Sequence, residues 1–136
     1  MTETKPKYKL KLKYSPKVSE HVHQCHFFKW IRYAYPNKLA FAIPNGGNRD
    51  EITGAILKRE GVTPGIPDIM IASANGKYHG LFIEMKKEDG SLSPSQKAIK
   101  AKLESEGYCV EVCKGWESAK EATEKYLKDH DDFINS

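Results

Sequence analysis

The sequence predicts an α/β sandwich on three observations: helical patterns recur along the chain, two β-rich runs meet at Asn75-Gly76, and a further alternating run follows them. Helices that alternate with a hairpin and another strand bury their apolar faces as layers on a sheet. A length of 136 residues suits one hydrophobic core rather than two. The hydrophobic share of 39% and charged share of 29% are those of an ordinary folded domain and exclude a disordered chain. No apolar run approaches the roughly 20 residues of a spanning helix, and the basic N-terminus lacks the apolar stretch of a secretory signal. An intracellular protein is expected, with no membrane partner.

The first regular element is a helix: Ser19 stands as N-cap, Glu20 to Ile31 follows, and Pro36 ends the run. Its expected inward stripe is Gln24, Phe27, Phe28 and Ile31, and a spacing of four sets Glu20 in line with Gln24. Leu39 to Ile43 reads as a short strand closed by the turn Pro44-Asn45-Gly46-Gly47. Asp50 to Glu60 reads as a second helix, with Ile52, Ala55 and Ile56 at helical spacing and Gly61 as C′ residue. Pro67 to Ser73 and Tyr78 to Lys86 flank Asn75-Gly76, a strong hairpin signal, so adjacent antiparallel strands are expected. Ser93, Pro94 and Gln96 fall on the N-cap, N1 and N3 positions of a third helix that runs to about Glu106, a complete capping-box pattern. Tyr108 to Cys113 alternates as a strand, and Trp116 to about Lys128 closes the chain as an amphipathic helix. The expected division is a basic arm over 1–18, a folded domain over 19–128 and a tail over 129–136.

Cys25, Cys109 and Cys113 are odd in number and lack CxxC spacing, which argues against a disulfide framework or a structural zinc site. His21, His23 and His26 do not suggest zinc either. Trp30, Tyr33 and Trp116 are expected in the core or at an interface rather than against bases. The net charge of +4 is concentrated in the series Lys5, Lys7, Lys9, Lys11 and Lys13. Such a series either touches DNA phosphates or protects an edge strand and keeps a tail soluble, and the sequence favours neither.

Asp68 on one strand and Glu84-Met85-Lys86 on its partner bring oxygen donors and an ammonium together. Hard cations such as Mg²⁺ and Mn²⁺ take oxygen ligands, polarise a phosphate and activate water at neutral pH. A neighbouring lysine orients that water or stabilises the charge that builds up. Alternation puts Glu84 and Lys86 on one face of their strand and Leu81, Ile83 and Met85 on the core face. Two desolvated acids side by side without a metal are expected to hold protons more tightly than usual. A strict two-residue loop at Asn75-Gly76 would set Asp68 opposite Ile83 and aim Glu84 away from it. A shared site therefore requires an odd loop count or a bulge. The bland alternatives are a strand-start Asp68 and a solvated Glu84–Lys86 face.

Gly65-Ile66-Pro67-Asp68 followed by Ile83-Glu84-Met85-Lys86 resembles the Asp…Glu-x-Lys core of the restriction-endonuclease-like, or PD-(D/E)xK, nuclease superfamily. The longer series is similar to one family within it. Glu20 and Gln24 on an early helix, Pro44 to Gly47, Gly61 to Asp68, Leu81 to Lys86, Gly90 to Gln96 and Gly107-Tyr108 together resemble the virus-type replication-repair nuclease (VRR-NUC) domain across Ser19 to Leu127. The resemblance implies a restriction-endonuclease-like sandwich whose central mixed sheet carries a catalytic hairpin. It implies that Asp68, Glu84 and the backbone carbonyl of Met85 ligate Mg²⁺ or Mn²⁺ and that Lys86 is the catalytic lysine. Glu20 would be an additional acid, reaching the metal directly or through water, and Gln96 would complete the site. A homodimeric DNA-repair endonuclease for branched DNA such as four-way (Holliday) junctions is implied as well.

Glu20 and Gln96 each have a second explanation. An acid in a first helical turn suits the macrodipole, and Gln96 completes a capping box that one side chain is not expected to serve fully together with the site. Two other function classes stay open: a branched-DNA-binding module without turnover, and a sequence-specific restriction-type enzyme, for which so compact a chain leaves little room.

Overall fold

The computed structural model describes residues 19–44 and 51–135, so the Lys5 to Lys13 series and Asn45-Gly46-Gly47 lie outside the described residues. In chain order the elements are α1 (Glu20–Ala34), β1 (Ala40–Ala42), α2 (Glu51–Arg59), β2 (Ile69–Ile71), β3 (Leu81–Lys86), α3 (Pro94–Ser105), β4 (Cys109–Lys114) and α4 (Trp116–Asn135). The strands form one mixed sheet in the order β1-β2-β3-β4. β1, β2 and β3 pair antiparallel, whereas β3 and β4 run parallel. A parallel pair needs a long crossover, and α3 supplies it. Among the described residues no helix is long and apolar enough to cross a membrane.

The core lies on one face of the sheet. Ile69, Ile71, Leu81, Ile83 and Met85 point there by strand alternation and pack against Phe27 and Ile31 of α1 and Trp116 and Leu127 of α4. Burying each such side chain contributes about 1.5–3 kcal/mol. The opposite face of β3 is not solvated: Phe82 and Glu84 are buried too. The sequence pattern covered only one face, and α3 with the segment before β2 covers the other.

Three local expectations are corrected. The buried residues of α1 are His23, Phe27, Phe28, Trp30 and Ile31, with Gln24 only half-buried. α1 is turned toward α4, and the imidazole Nδ1 of His23 accepts the Trp116 N–H at 3.1 Å. α2 leaves Ile52 and Ile56 exposed rather than packed on the sheet. α4 continues to Asn135, past Lys128.

The hairpin departs most from its sequence signal. β2 ends at Ile71 and β3 begins at Leu81, and Ile69 sits opposite Ile83. That register is one residue away from the one a strict two-residue loop imposes, as a shared acid site requires. A type I′ turn needs positive φ at both central residues, and among the described residues only glycines, Gly76 included, have positive φ. Asn75 is instead buried and used as a bracket. Its Oδ1 accepts the Lys77 and Tyr78 N–H groups at 3.0 and 2.8 Å, and its Nδ2 donates to the Tyr126 carbonyl in α4 at 3.3 Å.

Candidate active site

Asp68 is held by its backbone on both sides. Its N–H donates to the Ile83 carbonyl at 3.1 Å, and its own carbonyl accepts the Ile43 N–H at 2.7 Å. The side chain then continues the ladder: Oδ2 accepts the Met85 N–H at 2.7 Å, where a strand carbonyl would otherwise serve. The chain reaches Asp68 through Gly65, which has φ +93° and lies so close to α3 that a Cβ would meet the Ser95 carbonyl oxygen at 2.5 Å. Only glycine permits that approach. It seats the first turn of α3 against the segment before β2 that carries Asp68.

That first turn carries Gln96. Its Oε1 accepts the Ser93 N–H at 2.9 Å and the Lys86 ammonium at 2.7 Å, while its Nε2 donates to Glu84 Oε2 at 3.0 Å. The Ser93 hydroxyl accepts the Gln96 N–H at 3.2 Å, which completes the capping box. The expected competition between cap and site is thereby overturned. A carboxamide oxygen has two lone pairs and its nitrogen two protons, so one side chain serves both. Lys86 Nζ also lies 3.7 Å from Glu84 Oε2, and both side chains are largely buried.

The two acids act on one another. Burial is the main cause that raises the proton affinity of Asp68; the charge of Glu20 adds to it, while the Met85 hydrogen bond and Lys86 oppose it. Glu84 is pushed up to about 7, by burial first and then by Asp68, against the pull of Lys86. The side-chain hydrogen bond between them raises Glu84 and lowers Asp68. Carboxylates in contact away from water behave this way.

Glu20 stands apart. It is exposed in the first turn of α1, whose start is capped by the Ser19 hydroxyl accepting the Val22 N–H at 3.3 Å. Among the described residues, no group of three or more His, Cys, Asp or Glu side chains could hold a metal ion. Glu20 thus reaches Asp68 and Glu84 through its charge, which raises both. The oxygen donors in contact are two carboxylates, and the Met85 carbonyl shares their strand edge because a strand residue sends N–H and C=O to the same side. Burial drives the Cys109 and Cys113 thiols up to about 12 and about 11, which leaves them protonated and inert.

Lys114 is a residue that sequence reasoning missed. Its ammonium donates to the Glu88 and Gly90 carbonyls at 2.7 and 2.8 Å and holds the loop that follows Lys86. A lysine at the end of an alternating strand carries no sign that its partners are backbone carbonyls of an earlier loop.

Comparisons with known proteins bear on the family and the fold. The family model of the VRR-NUC domain matches residues 7–117. A solved structure titled "VRR_NUC domain protein" is similar to this chain at 30% identity and a TM-score of 0.68, covering 82% of this chain and 89% of that one. A comparison with curated proteins returns no match. The mixed sheet, its pinned hairpin and the extent of the family match lead to one conclusion: the chain belongs to the VRR-NUC domain family.

Proposed function

We propose that this nuclease-family protein is a Mg²⁺- or Mn²⁺-dependent endonuclease that hydrolyses phosphodiester bonds in branched DNA, four-way junctions among them, as a homodimer. The observation that carries the reading is the acid pair. Half-buried Asp68 and buried Glu84 act directly on one another, and Glu84 faces the Lys86 ammonium at 3.7 Å. A folded chain gains little from such a pair by itself, because burial and the charge of Asp68 both disfavour the ionised form of Glu84.

The donor set suits a hard cation. Two carboxylates and a peptide carbonyl are oxygen ligands, and so few protein donors leave positions for water and phosphate, as Mg²⁺ prefers. Asp68, Glu84 and the Met85 carbonyl would hold the ion, with Glu20 acting through water. When bound, the ion polarises the phosphate and acidifies water. Gln96 fixes Glu84 Oε2 and Lys86 Nζ relative to one another. Lys86 is thereby positioned beside the acids, where it would orient the attacking water and offset charge on the phosphate oxygens. The preference for branched DNA and the dimer rest on the family resemblance, and a two-fold axis would set two such sites against symmetric strands. The Lys5 to Lys13 series would add phosphate contacts.

Labelled duplex, flap, single-stranded and four-way-junction DNA, incubated side by side with Mg²⁺, Mn²⁺ or EDTA, tests this reading. Metal-dependent junction cleavage is expected, falling about 10³-fold in Lys86→Ala with the melting temperature retained. Junction binding without cleavage by the wild type would instead favour a binding module, and preference for one duplex sequence a restriction-type enzyme. Sedimentation of the wild type reads the dimer.

A further inference from the structure

Between Lys86 and Gln96 the chain closes a ring. It leaves β3 at Lys86, turns, reaches the N-cap Ser93 and returns through Gln96, whose Oε1 accepts the Lys86 ammonium at 2.7 Å and the Ser93 N–H at 2.9 Å. The ring therefore carries both the lysine and the carboxamide that face Glu84. Its turn, over 87–90, is closed by the Gly90 N–H donating to the Lys87 carbonyl at 2.9 Å. That turn folds back along the lysine: a Cβ at Gly90 would lie 3.6 Å from Lys86 Cδ.

The turn is gripped from outside the ring. Lys114 ends β4 as the parallel partner of Lys86, so both side chains leave the sheet on the same face. The Lys114 ammonium donates to the Glu88 carbonyl at 2.7 Å and to the Gly90 carbonyl at 2.8 Å, one on either side of Asp89. No carboxylate among the described residues pairs with it. An exposed turn does not need such a bracket, since water satisfies surface carbonyls and ordering a lysine stem costs side-chain entropy. Two short charge-assisted bonds do what water cannot. They fix the turn relative to β4 and, through it, set where Lys86 and Ser93 stand.

We propose that Lys114 is a positioning residue for phosphodiester cleavage: by bracketing the turn it holds Lys86 and the Gln96 cap in place against Glu84. The proposal rests on the nuclease reading and adds a residue to that site. Lys114 acts through the turn rather than on substrate. An ammonium that instead gripped a DNA phosphate would act on binding and its salt dependence.

Lys114→Met keeps the stem and removes the donors, whereas Lys114→Arg keeps donors. Lys114 is exposed, and thermal melts check that both variants fold. In single-turnover cleavage of the DNA that the wild type cuts fastest, Lys114→Met is expected to lose about tenfold in maximal rate. Its half-saturating DNA concentration and salt slope should stay those of the wild type, and Lys114→Arg should cut within about threefold of it. Amide hydrogen exchange of the DNA-free protein reads the bracket without turnover. In Lys114→Met the Gly90 and Ser93 N–H groups should exchange about tenfold faster, while those of the paired strands β2 and β3 keep their rates. A Lys114→Met variant with wild-type maximal rate overturns the proposal, and if its salt slope also falls by about one, Lys114 binds a phosphate instead. An equal rise in exchange at every amide overturns it too, because that marks a side chain that stabilises the whole fold. A wild type that cuts no DNA, with exchange in Lys114→Met faster only at Gly90 and Ser93, defeats the nuclease reading alone. One that cuts DNA no faster than Lys114→Met defeats the positioning role alone.

Discussion

α1 and α3 both begin beside Asp68 and Glu84, yet they meet the acids in different ways. α3 delivers a side chain: Gln96 is bonded to its own helix cap, to Lys86 and to Glu84 at once. α1 brings Glu20, which is exposed and whose charge raises the proton affinity of both acids. A residue inside a capping box is anchored to the backbone, so the geometry that starts the helix also fixes the site. A first-turn acid without such an anchor is free to move, and salt screens it.

The largest effect is expected where both helices converge, at Glu84. Its proton affinity in the folded protein is raised to about 7 from an ordinary 4.5. The native state therefore binds more protons than the unfolded state between those values. Its contribution is most favourable below the lower value and is lost as pH rises through the upper one. Glu84→Gln removes this dependence. In thermal melts with EDTA, the variant should gain on the wild type progressively from pH 5 to 8 and end on the order of 1–3 kcal/mol more stable. It should also lose the Mn²⁺-induced rise in melting temperature and all metal-dependent cleavage. A stability difference that shrinks with rising pH would show that the acids are not strained against one another.

Gln96 comes next, and two substitutions separate its roles. Gln96→Ala removes the N3 side-chain bond and frees Lys86 and Glu84, so cleavage is expected to fall about 10- to 100-fold and stability by about 1 kcal/mol. Gln96→Glu keeps the preferred capping-box acid but places a third carboxylate against Glu84. Stability near that of the wild type with cleavage still lost would assign the loss to the site. Recovery of cleavage in Gln96→Glu would mean that the cap alone matters.

Much of this site is legible in the sequence because its parts are local. Glu84 and Lys86 share a face through simple alternation, and the Ser93 to Gln96 pattern announces its own helix start. The need for an irregular hairpin also follows from counting, since a strict loop would have separated Asp68 from Glu84. What is missed depends on distant partners. Asn75 reads as a turn residue, but its side chain reaches Tyr126 in α4, and that contact reshapes the loop. His23 lies off the aromatic stripe of α1 and is buried because α4 brings the Trp116 N–H to it. The burial of Glu84 could not be seen either, since nothing in β3 states that α3 will cover its second face.

Glu20 offers the smallest and most discriminating test of the contrast between anchored and unanchored helix starts. Its charge raises the proton affinity of Asp68 and of Glu84. Glu20→Gln removes that influence, so both acids ionise at lower pH. The acid limb of the cleavage profile should then move down by about a few tenths of a pH unit, with the plateau rate within about threefold of the wild type. High salt should erase the shift, because at 1 M the Debye length is about 3 Å and an exposed charge no longer reaches the pair. A ligand behaves otherwise. If Glu20 bound the metal directly, its removal would depress cleavage about 100-fold at every pH and weaken Mn²⁺ binding, and salt would not restore either. The pH profile at two ionic strengths thus decides whether α1 contributes a field or a bond.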